Sequence, residues 1–168
     1  MSLTTVHYPC REISAVDRQQ IDELKQAAAI DPLGRARICL HMSPADSIHE
    51  MVIAIRRGSY SRPHRNVRQS KSYFAIDGRI ALIIFDDSGK IIKRICLEPS
   101  SAAVFFCRLN SNCWHTVISC SDQAVFLETN GGPFVKELEE YAPWAPDGHE
   151  TEVDSYLDGI ERITHEMS

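Results

Sequence analysis

Eight residues from three stretches of this chain are of types that could do chemistry together. The stretch "GSYSRPHRNVRQSKSYFAIDG", from Gly58 to Gly78, carries Arg62, His64, Asn66, Lys71 and Tyr73. "LNSNCWHTVIS" adds Cys113 and His115, and "FLETNGGP" adds Glu128. In extended backbone, alternate residues share a face. Arg62, His64 and Asn66 then point one way, Lys71 and Tyr73 share a face on the next strand, and Cys113 lies on the side of His115. A barrel that turns these faces inward would gather His64, Asn66, Lys71, Tyr73 and His115 around one pocket.

Two chemistries fit that set. In the first, His64 and His115 are imidazole ligands of a divalent metal (zinc, nickel, iron or manganese), completed by the Asn66 carbonyl oxygen, the Cys113 thiolate or Glu128. Lys71 opposes this, because an ammonium has no lone pair and repels a dication. In the second, Arg62 and Lys71 make a positive pocket for an anion: a phosphate, a carboxylate or the diphosphate of a sugar nucleotide. Tyr73 then offers a hydroxyl or a stacking face, and Glu128 pairs with Lys71. A plain structural alternative leaves both histidines as hydrogen-bonded core residues and Cys113 as a buried thiol. "RARICLH" places Arg37 and His41 where they could border the pocket, whereas His7, His49, His149 and His165 stand in polar or terminal settings and read as exposed. No phosphate-binding glycine loop, nucleophile elbow or Ser/His/Asp set occurs.

The elements that must position these residues are mostly strands. "SAVDRQQIDELKQAAAI" (14–30) reads as a helix capped by Ser14 and Asp17, and "DPLG" (31–34) stops it. Strand-like runs follow at 51–56, 72–78, 80–86, 91–97, 102–109, 115–119 and 124–129, with "DDSG" (86–89) as a tight turn. Their close spacing predicts an antiparallel sandwich or barrel. Val153, Tyr156, Leu157, Ile160 and Ile163 recur at helical spacing, and Tyr141 and Trp144 in "YAPWAPDG" are expected to pack on the barrel.

The 168 residues suit one domain. The net charge of −5 hides an asymmetry: six basic and no acidic residues between Met51 and Ile76, against ten acidic residues and Arg162 between Glu137 and Ser168. Such a split favours an anionic ligand or self-association, and an acidic chain without aromatic–basic interleaving disfavours nucleic acid. No apolar run is long enough to span a membrane, and no secretory pattern opens the sequence, so a cytoplasmic location is the expectation. Six cysteines without a CxxC pair read as reduced, buried thiols.

Gly58, His64, Asn66, Lys71 and Gly78 resemble the first cupin motif, Gly-x5-His-x-His-x3–4-Glu-x6-Gly, with Asn66 and Lys71 replacing a histidine and the glutamate. His115 resembles the histidine of the second motif. "RARICLH", "SYSRPHR", "ALIIFDDSGKI", "WHT", "GPF" and "YAPWAP" resemble the WbuC-type cupin-fold metalloproteins over residues 35 to 157. The resemblance implies a mainly β fold, a double-stranded β-helix (jelly-roll barrel) with short N- and C-terminal helices. It divides the chain into a helical appendage (1–34), the barrel (35–135) and a C-terminal segment (136–168). It also implies a three-histidine, one-glutamate metal site, here degenerate, a link to bacterial surface-polysaccharide clusters, and a homodimer. The expectation is a barrel that binds an anionic small molecule (phosphate-, carboxylate- or sugar-nucleotide-like) in a pocket with a weakened or lost metal site, the alternative a divalent-metal-dependent enzyme (isomerase-, epimerase- or oxygenase-like) acting on a sugar or related molecule.

Overall fold

A computed structural model describes residues 6–7, 13–100, 102–110, 112–148 and 152–166. Cys10 and His149 lie outside these residues, as do the side chains of His7 and His165. The strands are β1 (Val6–His7), β2 (Arg35–Cys39), β3 (Ile48–Arg56), β4 (His64–Asn66), β5 (Lys71–Asp77), β6 (Ile80–Phe85), β7 (Ile91–Leu97), β8 (Phe106–Leu109), β9 (Trp114–Ser119), β10 (Gln123–Gly131) and β11 (Glu139–Tyr141). Helices α1 (Arg18–Ile30) and α2 (Val153–Glu166) flank them.

Two sheets face each other. One has the order β1-β2-β3-β10-β5-β8 and the other β11-β4-β9-β6-β7. Every pairing is antiparallel except β1 with β2. Tyr73, Leu82, Ile84 and Phe126 meet in the core between the sheets. Val52, Ala54 and Val125 point the other way, onto Ile21, Leu24 and Ala28 of α1. Ala81, Ile83 and Ile118 form the outer face of the second sheet, under Ala142, Leu157 and Ile160. This is the antiparallel two-sheet architecture that the strand pattern predicts, in the mainly β jelly-roll form that the resemblance implies.

Several boundaries differ from the expectation, for local reasons. Asp17, not Ser14, caps α1: its carboxylate accepts from the Gln20 N–H, and the Gln20 side chain accepts from the Asp17 N–H. The run 102–109 is a strand only from Phe106. Before it, the chain turns through Ala103 and Ser100 and leaves Val104 and Phe105 half-exposed. Strand β3 begins three residues early, at Ile48, and brings His49 into the interior. Gly78 turns β5 into β6 at φ 68°, where an added Cβ would stand 2.5 Å from the Gln123 carbonyl oxygen.

Candidate functional site

Register places the site. His64 and His115 are direct partners across β4 and β9, and Tyr73 and Glu128 are direct partners across β5 and β10. One pair comes from each sheet, so their side chains converge inside the barrel. Lys71 joins them from β5, two residues before Tyr73 on the same face. Glu139 joins from the short β11, which pairs with β4.

The hydrogen bonds fix the protonation pattern. His64 Nδ1 lies 3.0 Å from the Arg62 carbonyl oxygen and His115 Nδ1 2.8 Å from that of Cys113. A carbonyl only accepts, so each Nδ1 carries the hydrogen and donates, leaving each Nε2 as a bare acceptor. Lys71 Nζ donates to His64 Nε2 at 2.8 Å, and the Tyr73 hydroxyl donates to His115 Nε2 at 3.0 Å. Burial, then the Lys71 charge, holds His64 well below the usual histidine range and His115 down to about 4. Burial first, then the Glu128 carboxylate, keeps the Tyr73 hydroxyl protonated well above its ordinary range. Both imidazoles are therefore neutral and both Nε2 lone pairs are engaged.

Lys71 is the hub. It is 6% exposed, and besides His64 it has Glu128 Oε1 at 3.6 Å and Glu139 Oε1 at 4.0 Å. Glu139 also lies 3.9 Å from His64 Nε2. A single ammonium thus sits among an imidazole and two carboxylates, the surroundings a metal ion would seek. As arranged, the donor set does not fit a divalent cation. Both Nε2 atoms are occupied and Nζ stands at the centre. Among the described residues no group of three or more His, Cys, Asp or Glu side chains is disposed to hold a metal.

The other expected site residues go elsewhere. Asn66 Oδ1 accepts from the Arg68 and Gln69 N–H groups and Nδ2 donates to Gln69, so Asn66 shapes the β4–β5 turn. Arg62 donates through Nε and Nη2 to the Ala142 carbonyl, at 3.2 and 2.8 Å. Cys113 contributes its carbonyl to His115 while its thiol faces the Trp114 carbonyl at 4.0 Å, and burial raises the thiol's pKa. Arg37 is exposed on β2. Tyr141 is half-exposed with its ring 6.1 Å from that of His64, whereas Trp144 packs on Phe85 and Trp114.

Two residues enter that sequence reasoning missed or misplaced. Glu139 belongs to the cluster. Arg65 fixes its strand by pairing with Glu140 at 2.6 Å and lying 4.3 Å over the Trp114 ring. His49, expected at the surface, is 6% exposed and stacks on buried His41 with ring centroids 4.2 Å apart. Asn130 is the register partner of both His49 and Lys71, so a polar row runs from the cluster along the inner face of the first sheet. Among the described residues, His49 Nε2 and Asn130 Oδ1 are buried without a hydrogen-bond partner.

Comparison with known proteins bears on the architecture. The family model "Domain of unknown function (DUF6016)" matches residues 16–97. Among curated proteins, none matches the sequence. An oxalate oxidase solved with the substrate analogue glycolate superposes at TM-score 0.52 with 12% identity, over 68% of this chain and 58% of its own. The fold is that of a cupin. Oxalate decarboxylase from Bacillus subtilis (14% identity, TM-score 0.49, 64% of this chain and 27% of that one) is among the further similar structures. So is KdgF from Halomonas sp. (15%, 0.47, 64% and 86%). The chain spans 58% of the length of the oxalate oxidase. No helix among its described residues is long and apolar enough to cross a membrane.

Proposed function

We infer that this cupin binds a small polar molecule beside a built-in cation, the Lys71 ammonium, which stands where the resemblance places a metal-ligating glutamate. The observation that carries the reading is the coordination of Nζ by His64 Nε2, Glu128 and Glu139 within 4.0 Å. An anionic ligand was expected on the strength of Arg62 and Lys71 facing one pocket. Arg62 is instead committed to the Ala142 carbonyl, and Lys71 is flanked by two carboxylates. What the cluster offers a ligand is mainly acceptors: Glu128, Glu139 and the unpartnered Asn130 Oδ1. Acceptors call for hydroxyl or amine donors, which favours a neutral, hydroxyl-rich molecule of sugar type over a phosphate. A sugar-like ligand also keeps the link to surface polysaccharide that the resemblance implies. Approach is from the β11 side, where Glu139 is the most exposed member of the cluster.

Titration of the purified protein with neutral monosaccharides, followed by backbone amide shifts, tests this. Saturable shifts at Lys71, Asn130 and Glu139 that vanish in Lys71→Met are expected. Tighter, saturable binding of phosphate or carboxylate at the same residues would restore the anionic reading. One equivalent of tightly bound zinc, nickel, iron or manganese, lost in His64→Ala, would overturn the proposal in favour of a metal-dependent enzyme.

A further inference from the structure

On the outer face of the second sheet, away from the Lys71 cluster, lies a cavity of about 420 Å³. Arg57, Arg79 and Arg94 line it together with Glu98, Ile118 and Glu161. The sidedness follows from strand alternation. Ile118 packs outward among Ala81, Ile83 and the α2 residues, whereas Val117 packs inward into the core between the sheets. Each arginine reaches the cavity from a different element: Arg57 from the turn after β3, Arg79 from the β5–β6 turn, and Arg94 from the middle of β7.

The Arg57 and Arg79 guanidinium groups are loosely held. Arg57 meets Asp122 at 3.6 Å and the Cys120 carbonyl at 3.2 Å, with its side chain about half-exposed. Arg79 has Glu98 at 4.0 Å, outside hydrogen-bonding distance. Arg94 donates to the Cys120 sulfur at 3.6 Å, a weak acceptor. A phosphate oxyanion would give the Arg57 and Arg79 forks charge-assisted bonds far stronger than those they now make. The volume exceeds what a bare phosphate needs, and Ile118 supplies an apolar wall. The C-terminal helix contributes Glu161 to the lining.

We propose that this cavity is a second binding site, for a small phosphorylated organic molecule gripped by Arg57 and Arg79. It is independent of the reading of the inner site. The test is calorimetric titration at low salt with inorganic phosphate and with phenyl phosphate. Phenyl phosphate is expected to saturate with a Kd below about 1 mM and more tightly than phosphate, because only it uses the apolar wall. Arg79→Gln and Arg57→Gln should each weaken it about tenfold. Glu98→Gln should tighten it, since Glu98 competes for Arg79. The distant Arg68→Gln should leave the affinity unchanged. A merely structural arginine cluster would give no gain in Glu98→Gln. That result, an equal loss in Arg68→Gln, or non-saturating heats with both probes would each overturn the proposal.

Discussion

Lys71 and Arg79 are both cations near acidic partners, yet they sit in opposite electrostatic regimes. Lys71 is 6% exposed and lies within 4.0 Å of an imidazole and two carboxylates, all fixed by strand register. The Arg79 side chain is 60% exposed and has one carboxylate at 4.0 Å. Inside the barrel, removing a charge from water is costly, and the protein supplies each compensating partner itself. On the outer face, water screens the guanidinium and the pairing is slack. The inner cation is therefore part of what holds the barrel together, while the outer one is free to serve a ligand. Variants that remove each charge should separate these roles.

The largest effect is expected inside. Lys71→Ala leaves His64 Nε2 without its donor and two carboxylates facing each other with no cation between them. A loss of about 3–5 kcal/mol in urea unfolding is the expected outcome. With Nζ gone, His64, Glu128 and Glu139 surround a vacated position, so zinc should raise the melting temperature of this variant and not of the wild type. A loss under about 0.5 kcal/mol with no zinc response would show that Lys71 is no hub and end the contrast with Arg79.

Next comes pH. Above pH 6.5, folded and unfolded chains both hold His115 neutral. As pH falls from 6.5 to about 4 the unfolded chain takes up the proton first, so stability declines across that window. Below about 4 both forms are protonated and the loss is complete. For His115 alone this comes to about 3 kcal/mol, and His64, lowered for the same reasons, adds in the same direction. Urea midpoints measured at pH 7, 5.5 and 4 check it, and His115→Gln should flatten the dependence. An unchanged profile in that variant would place the acid sensitivity elsewhere.

Tyr73→Phe is a finer cut into the same network. It removes only the hydroxyl that donates to His115 Nε2 and leaves the ring packed against Phe126. A cost of about 1–2 kcal/mol is expected, the penalty of a buried acceptor left unpaired. The variant should also raise the His115 pKa toward the ordinary range, visible by NMR titration of its ring protons, because the bare Nε2 then accepts a proton more readily.

Much of this was legible in the sequence, and what was not had identifiable causes. The strands and their inward alternation put His64, Lys71, Tyr73 and His115 on converging faces, because a period of two survives small boundary errors. Arg62 obeys the same parity, but parity fixes only where a side chain leaves the backbone. Its long, flexible stem carries the guanidinium to the Ala142 carbonyl. Asn66 was read as a ligand although an asparagine oxygen is equally suited to bond N–H groups two and three residues on, as it does in this turn. Glu139 lay in a three-residue strand, too short to show any period, and its acidic neighbours disguised it as solvated tail. His49 reads as exposed only when β3 is taken to start at Met51. Started at Ile48, the same alternation that buries Met51 also buries His49.

The smallest stability effect belongs to Arg79, and its smallness is what makes it informative. Arg79→Gln removes a charge whose side chain is 60% exposed and whose acidic partner is 4.0 Å away, so the unfolding free energy should move by less than about 0.5 kcal/mol. Its backbone bonds to Ser121 and Cys120 do not depend on the side chain and should persist. An unshifted melting temperature together with a tenfold loss of phenyl phosphate affinity would complete the contrast with Lys71→Ala, which should do the reverse. A large destabilisation in Arg79→Gln would mean that the outer cation is as structural as the inner one, tying the β5–β6 turn to the end of β7. The cavity would then be a gap between salt-linked elements instead of a site.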